Sequence, residues 1–152
     1  MPADRNCVFC KIVAGHIPCF KLFEDDAVLA FLDIDPLVTG HTLVIPKDHH
    51  ATLMETPPEA LARLSSHLPA IARAVLAATG THACNILLNN GSAAQQSISH
   101  LHFHILPRVA ATSGTTAESP GNFHIPWNPG ILEKSAGAAL VVKIQQQLAS
   151  QP

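Results

Sequence analysis

Polar and apolar residues alternate with two different periods along this chain, and each change of period marks an element. Phe20–Phe23 and Val28–Leu32 are short apolar-rich runs separated by the turn pair Asp25-Asp26, which predicts two strands. Pro36 and Gly40 break the chain, and His41–Pro46 predicts a third strand, β-rich at its centre and closed by a proline. From Thr56 the period lengthens, and Leu61, Leu64, Leu68, Ile71 and Val75 fall on one helical stripe. Thr56 is the candidate N-cap, prolines fill the first turn, Glu59 completes a capping box, Pro69 predicts a kink and Gly80 the end. The short period returns in Ala83–Asn90, a strand, and in Ser97–Pro107, another, with the loop Gly91–Gln96 between them. Cys7–Gly15 predicts a short helical turn ending at a glycine, and Glu133–Leu148 a terminal helix. Residues 110–122 are polar and low in complexity, which predicts a mobile loop. Strands joined by short turns, then a helix, strands and a helix, predict an α+β domain: an antiparallel sheet with helices packed on it.

Composition adds limits to that picture. A chain of 152 residues suggests one domain, and 47% hydrophobic against 13% charged residues is globular rather than disordered. The net charge is −2 and the lysines and arginines are scattered, so nothing argues for wrapping nucleic acid. No apolar run approaches a membrane span, and the opening "MPADRNCVFC" lacks the apolar core of a secretory signal. Four cysteines in that setting point to reduced thiols or a metal rather than disulfides, and a cytoplasmic location is the expectation.

The candidate chemistry lies in "SHLHFHILPR", Ser99–Arg108. Side chains alternate faces along a strand, so His100, His102 and His104 share one face while Leu101, Phe103 and Ile105 face the core. At the rise of a strand, neighbouring histidines stand roughly 6.6 Å apart and the outer pair about 13 Å. One atom can touch two of them, but three ligands around one metal need a bend, so the spacing predicts divided roles. The preceding "NNGSAAQQS" offers a glycine, amides and hydroxyls, groups that can bind an anion.

His100-Leu101-His102-Phe103-His104-Ile105-Leu106 resembles the His-φ-His-φ-His-φ-φ pattern of the histidine triad family of nucleotide hydrolases and transferases, where φ is apolar. The resemblance runs upstream through "FCKIVAGHIP", "FEDDAVLAFLDIDP" and "GHTLVIPKDHH", and covers roughly Cys7 to Arg108. It implies a single domain over residues 1–152, with a core about 7–108, the loop and then a C-terminal tail and helix about 123–150. It implies an α+β fold of that family's type, whose sheet continues across a homodimer. It implies cleavage at the α-phosphate of a purine nucleoside phosphoramidate or dinucleoside polyphosphate, with His102 as the attacking nucleophile and a nucleotidyl-histidine intermediate. His41 and His104 would stabilise charge on the phosphate oxygens. Asn89, Gln96 and Ser97 match positions near the phosphates, Asp33 the ribose carboxylate, and Phe9, Phe31 and Ile34 the base-pocket wall. Gln95 stands where the family usually has glycine, which bears on the geometry of the phosphate loop.

Cys7 and Cys10 have the Cys-x-x-Cys spacing of half a tetrahedral zinc site. Prokaryotic members of the family complete such a site with residues matching His49 and His100, which implies a structural zinc and no organic cofactor; His50 is the alternative to His49. Two other readings compete. His-x-His pairs on strands also bind catalytic zinc, which would make this a metal-dependent hydrolase. A nucleotide sensor or scaffold would turn over only incidentally. Cys19 and Cys84 read as small buried hydrophobes. Trp127 fits a core, an interface or an active-site lid.

Overall fold

Five antiparallel strands make one sheet in the order β1-β2-β3-β5-β4. They are β1 (Phe20–Glu24), β2 (Val28–Leu32), β3 (Thr42–Pro46), β4 (Ala83–Leu87) and β5 (Phe103–Arg108). Among the described residues three α-helices accompany them: α1 (Val8–Val13), α2 (Pro58–Thr79) and α3 (Lys134–Ala149). The computed structural model describes residues 4–108 and 127–151. The predicted mobile loop at 110–122 lies outside the described residues. Among those described, no helix is long and apolar enough to cross a membrane.

β2 and β3 are buried along their whole length, because the sheet is covered on both faces. Strand alternation sorts their side chains between two cores. Val28, Ala30, Leu32 and Val44 join Leu64, Ile71 and Val75 of α2 and Leu140 and Ile144 of α3. Leu29, Phe31, Leu43 and Ile45 point the other way and meet Cys7, Phe9 and Cys10 around α1. In the ladder between β3 and β5, His104 lies opposite Leu43, a residue of the α1 side, and Ile105 opposite Thr42. β4 forms the far edge and is the most exposed strand.

Three expectations change in detail. The predicted strand Ser97–Pro107 begins only at Phe103. β3 ends at Pro46, which has no N–H to continue a ladder, and the segment before β5 bonds to the loop that follows β3 instead: Leu101 N–H donates to the His50 carbonyl at 2.6 Å. The strand predicted over Ala83–Asn90 stops at Leu87. The capping box is absent, since the N-cap of α2 is Pro57 and the Thr56 hydroxyl donates back to the Thr52 carbonyl at 2.8 Å. α2 runs on through Pro69; that residue and Ser65, whose carbonyl it deprives of a partner, both face solvent. Gly80 ends the helix in the left-handed conformation, as its sequence position predicts.

Candidate functional site

The three histidines of the triad are all buried on the α1 side, and their ring nitrogens have different partners. His102 Nδ1 lies 2.6 Å from the His100 carbonyl, which only accepts, so Nδ1 carries the proton and Nε2 keeps its lone pair. His102 lines a cavity of about 380 Å³ bounded by Phe9, Phe31, Asp33, Ser97, His104 and Trp127. The Leu37 N–H donates to His41 Nδ1 at 3.2 Å, so the His41 proton sits on Nε2. That proton points at His104 Nδ1, 2.9 Å away, which leaves the His104 proton on Nε2. His104 Nε2 is buried and has no partner among the described residues. The site thus holds a lone pair on His102 and an unsatisfied donor on His104, with the two rings 4.8 Å apart.

Burial keeps these rings uncharged. It pushes His41 down to about 4 and His104 to about 3, with neighbouring histidines adding to both, and it also lowers His102. Burial raises the Asp33 carboxyl to about 6. Asp33 Oδ2 stands 3.5 Å from His41 Nδ1. That contact is not an ion pair, because the same nitrogen already accepts the Leu37 N–H and the ring is neutral.

Cys7, Cys10, His49 and His100 form a second cluster next to the first, with donor atoms all within 4.8 Å of one another. Sulfur-to-nitrogen separations are 3.5 Å for Cys7–His100, 3.7 Å for Cys10–His100 and 3.3 Å for Cys10–His49. A tetrahedral zinc with its usual bond lengths sets such edges at about 3.6 Å, so the four residues fit the ion. His100 Nε2 donates to the Pro46 carbonyl at 2.9 Å, which turns Nδ1 toward the sulfurs. His49, not His50, joins the cluster. The bend before β5 gives His100 different partners from His102 and His104, and the three do not form one ligand set.

The remaining predicted residues divide. Phe9, Phe31, Asp33, Ser97 and the exposed Ile34 all line the cavity. Gln96 is engaged by the backbone instead: its Oε1 accepts the Gly91 N–H, and its Nε2 donates to the Ala51 and Ile98 carbonyls. Asn89 is half-buried just beyond β4 and does not line the cavity. Gln95 has φ 66°, the left-handed conformation that a glycine takes readily and that other residues rarely adopt. Sequence reasoning left Trp127 unplaced, and it stands edge-on to His104 at 5.1 Å and to His41 at 6.2 Å. A larger depression of about 750 Å³ lies between the segment after β2, the end of α2 and α3, but it gathers no histidine or cysteine.

Sheet, buried imidazoles and cavity together define a histidine-lined pocket on an α+β scaffold. The HIT domain family matches residues 14–111, and the chain belongs to that family. It is 53% identical over 105 residues to the adenylylsulfatase HINT3 of Arabidopsis thaliana, a match covering 69% of this chain and 53% of that protein. The chain therefore spans about half the length of that relative. It is 48% identical over 103 residues to the adenosine 5'-monophosphoramidase hnt1 of Schizosaccharomyces pombe, covering 68% of this chain and 74% of that one. A zinc-bound histidine triad family protein from Mycobacterium smegmatis superposes with a TM-score of 0.74 at 34% identity, over 96% of this chain and 98% of that one.

Proposed function

We propose that this chain is a hydrolase or transferase of nucleotides, which cleaves at the α-phosphate through a covalent nucleotidyl group on His102. The observation that carries the reading is the pairing of a free lone pair on His102 Nε2 with an unpartnered donor on His104 Nε2, at the wall of an apolar cavity. His102 Nε2 attacks phosphorus, the bond to the leaving group breaks, and that group departs with its electron pair and takes a proton from solvent, which the water of the second step gives back. Water then attacks the same phosphorus, the P–N bond breaks, and the nucleoside monophosphate leaves with His102 restored. The His104 Nε2–H, fixed through His41 and the Leu37 N–H, stabilises negative charge on a phosphate oxygen. Phe9, Phe31 and Ile34 fit a base, Asp33 a ribose hydroxyl, and Ser97 a phosphate oxygen. Asn89 and Gln96 act at one remove, by shaping the loop.

The leaving group follows from charge. Asp33 and Asp35 are the carboxylates of the cavity, no lysine or arginine lines it among the described residues, and residues 109–126 contain neither. A polyphosphate leaving group would bring several negative charges to a site without a fixed cation. An amine brings none, so phosphoramidates are favoured over dinucleoside polyphosphates, with adenylyl sulfate between them. The names of the plant and yeast relatives, an adenylylsulfatase and an adenosine 5'-monophosphoramidase, support both of these substrate classes without ranking them.

The cluster of Cys7, Cys10, His49 and His100 would hold a structural zinc; four protein ligands close its coordination, so the ion ties α1 to the sheet and supplies no open position. The exposed edge strand β4, with Ile86 outward, supports a homodimer built by strand pairing. We place the protein in the cytoplasm as a single domain. The test is a panel of adenosine phosphoramidate, adenylyl sulfate and a diadenosine polyphosphate, read by release of AMP. His102→Ala should lower turnover on the order of 10⁴-fold and abolish the nucleotidyl adduct in intact mass. Full turnover by His102→Ala sinks the mechanism.

A further inference from the structure

The Cys7–Cys10–His49–His100 cluster touches the cavity through two routes. The first is α1. This helix has six residues and no side-chain cap, too short to persist alone. Two sulfurs at its start meet imidazoles from two other segments, His49 after β3 and His100 before β5. The same helix turns Val8, Phe9 and Ile12 into the cavity. Phe9 stands edge-on to Phe31 at 5.6 Å and to His102 at 5.2 Å, and so touches both the base wall and the nucleophile.

The second route is the backbone of His100. Its ring is clamped at both nitrogens, by the sulfurs at Nδ1 and by the Pro46 carbonyl at Nε2. Its own carbonyl accepts the His102 Nδ1–H at 2.6 Å, the contact that leaves Nε2 free to attack. The main apolar core, by contrast, lies on the other face of the sheet and includes none of these four residues.

We propose that the cluster is a positioning device for the nucleotide site: it sets the base wall through α1 and the tautomer of His102 through the His100 carbonyl. Its loss weakens nucleotide binding before it unfolds the domain. This inference rests on the reading of the cavity as a nucleotide site.

The experiment titrates AMP into the zinc-loaded protein, the protein stripped by a chelator, Cys10→Ser and Phe9→Leu. Zinc content and far-UV circular dichroism are recorded on the same samples. Stripping and Cys10→Ser should each raise the AMP Kd about tenfold or more while the dichroism stays native. Zinc should restore the stripped wild type but not Cys10→Ser. Phe9→Leu should keep its zinc and still lose affinity. In ¹⁵N-histidine spectra, His102 should show one tautomer when loaded and a mixture when stripped. Unchanged AMP affinity after stripping overturns the proposal, and so does affinity that falls only together with the dichroism. If the loaded wild type binds no AMP, the nucleotide reading fails instead.

Discussion

The two faces of the sheet are built on opposite principles. One carries α2 and α3 on aliphatic side chains, with Leu64, Ile71, Val75, Ile105 and Ile144 among the buried residues. Among the described residues the other carries one helix, α1, and there sulfurs and imidazoles replace much of the hydrocarbon. A face packed with aliphatics gains stability in proportion to buried area and tolerates little rearrangement. A face of buried imidazoles gains less, because each nitrogen must find a partner, but its unsatisfied groups are the ones available to a ligand. Aliphatic packing and buried imidazoles are thus separated across one layer of strands, and substitutions on the two faces should act independently.

Substitutions should break this comparison unequally. His104→Ala removes the donor aimed into the cavity and should slow turnover on the order of 10²–10³-fold in steady-state kinetics. Its cost in stability is about 1–3 kcal/mol, the penalty for orphaning the His41 Nε2–H. Ile71→Ala, on the aliphatic face, should destabilise by about 2–4 kcal/mol in denaturant unfolding and leave kcat of the folded protein unchanged. A kcat that falls in parallel would mean the faces are coupled. Gly137 lets α3 lie against β1: a Cβ there would stand 2.8 Å from the Phe20 ring. Gly137→Ala should therefore cost about 1–2 kcal/mol, again with kinetics intact.

The smallest effect is a response to pH that belongs to the histidine face. His41 and His104 resist protonation until about 4 and about 3 in the folded chain, against 6.5 for a free imidazole. The unfolded chain therefore binds more protons as pH falls below 6.5, and stability declines through that window. Asp33 works the other way: its folded carboxyl takes up a proton at about 6, against 3.8 when free, so it offsets part of the loss. The melting temperature should fall between pH 7 and pH 5, and more steeply in Asp33→Asn.

Much of this was legible in the sequence because both periods are strict. The stripe from Leu64 to Val75 and the alternation through β2 follow from side-chain geometry alone. The alternation in the triad also placed its histidines on one side, yet it overstated the strand. Periodicity reports which way side chains point; it does not report that the chain ahead of Phe103 finds its hydrogen bonds in the loop after Pro46. Asn89 and Gln96 show the same limit. Their types suit phosphate binding, but Gln96 is engaged by backbone groups, and one of these, the Ala51 carbonyl, lies far away in sequence. Trp127 is separated from the histidines by residues 109–126 and follows no period, so only the folded chain brings it beside them.

That tryptophan has a spectroscopic consequence. It is the chain's sole tryptophan, and there is no tyrosine. All the long-wavelength ultraviolet emission of this protein therefore originates at one ring, edge-on to His41 and His104. Anything that enters the cavity, or protonates either imidazole, acts on that emitter directly. The protein carries its own optical gauge of occupancy, with no dye to attach and no background to subtract.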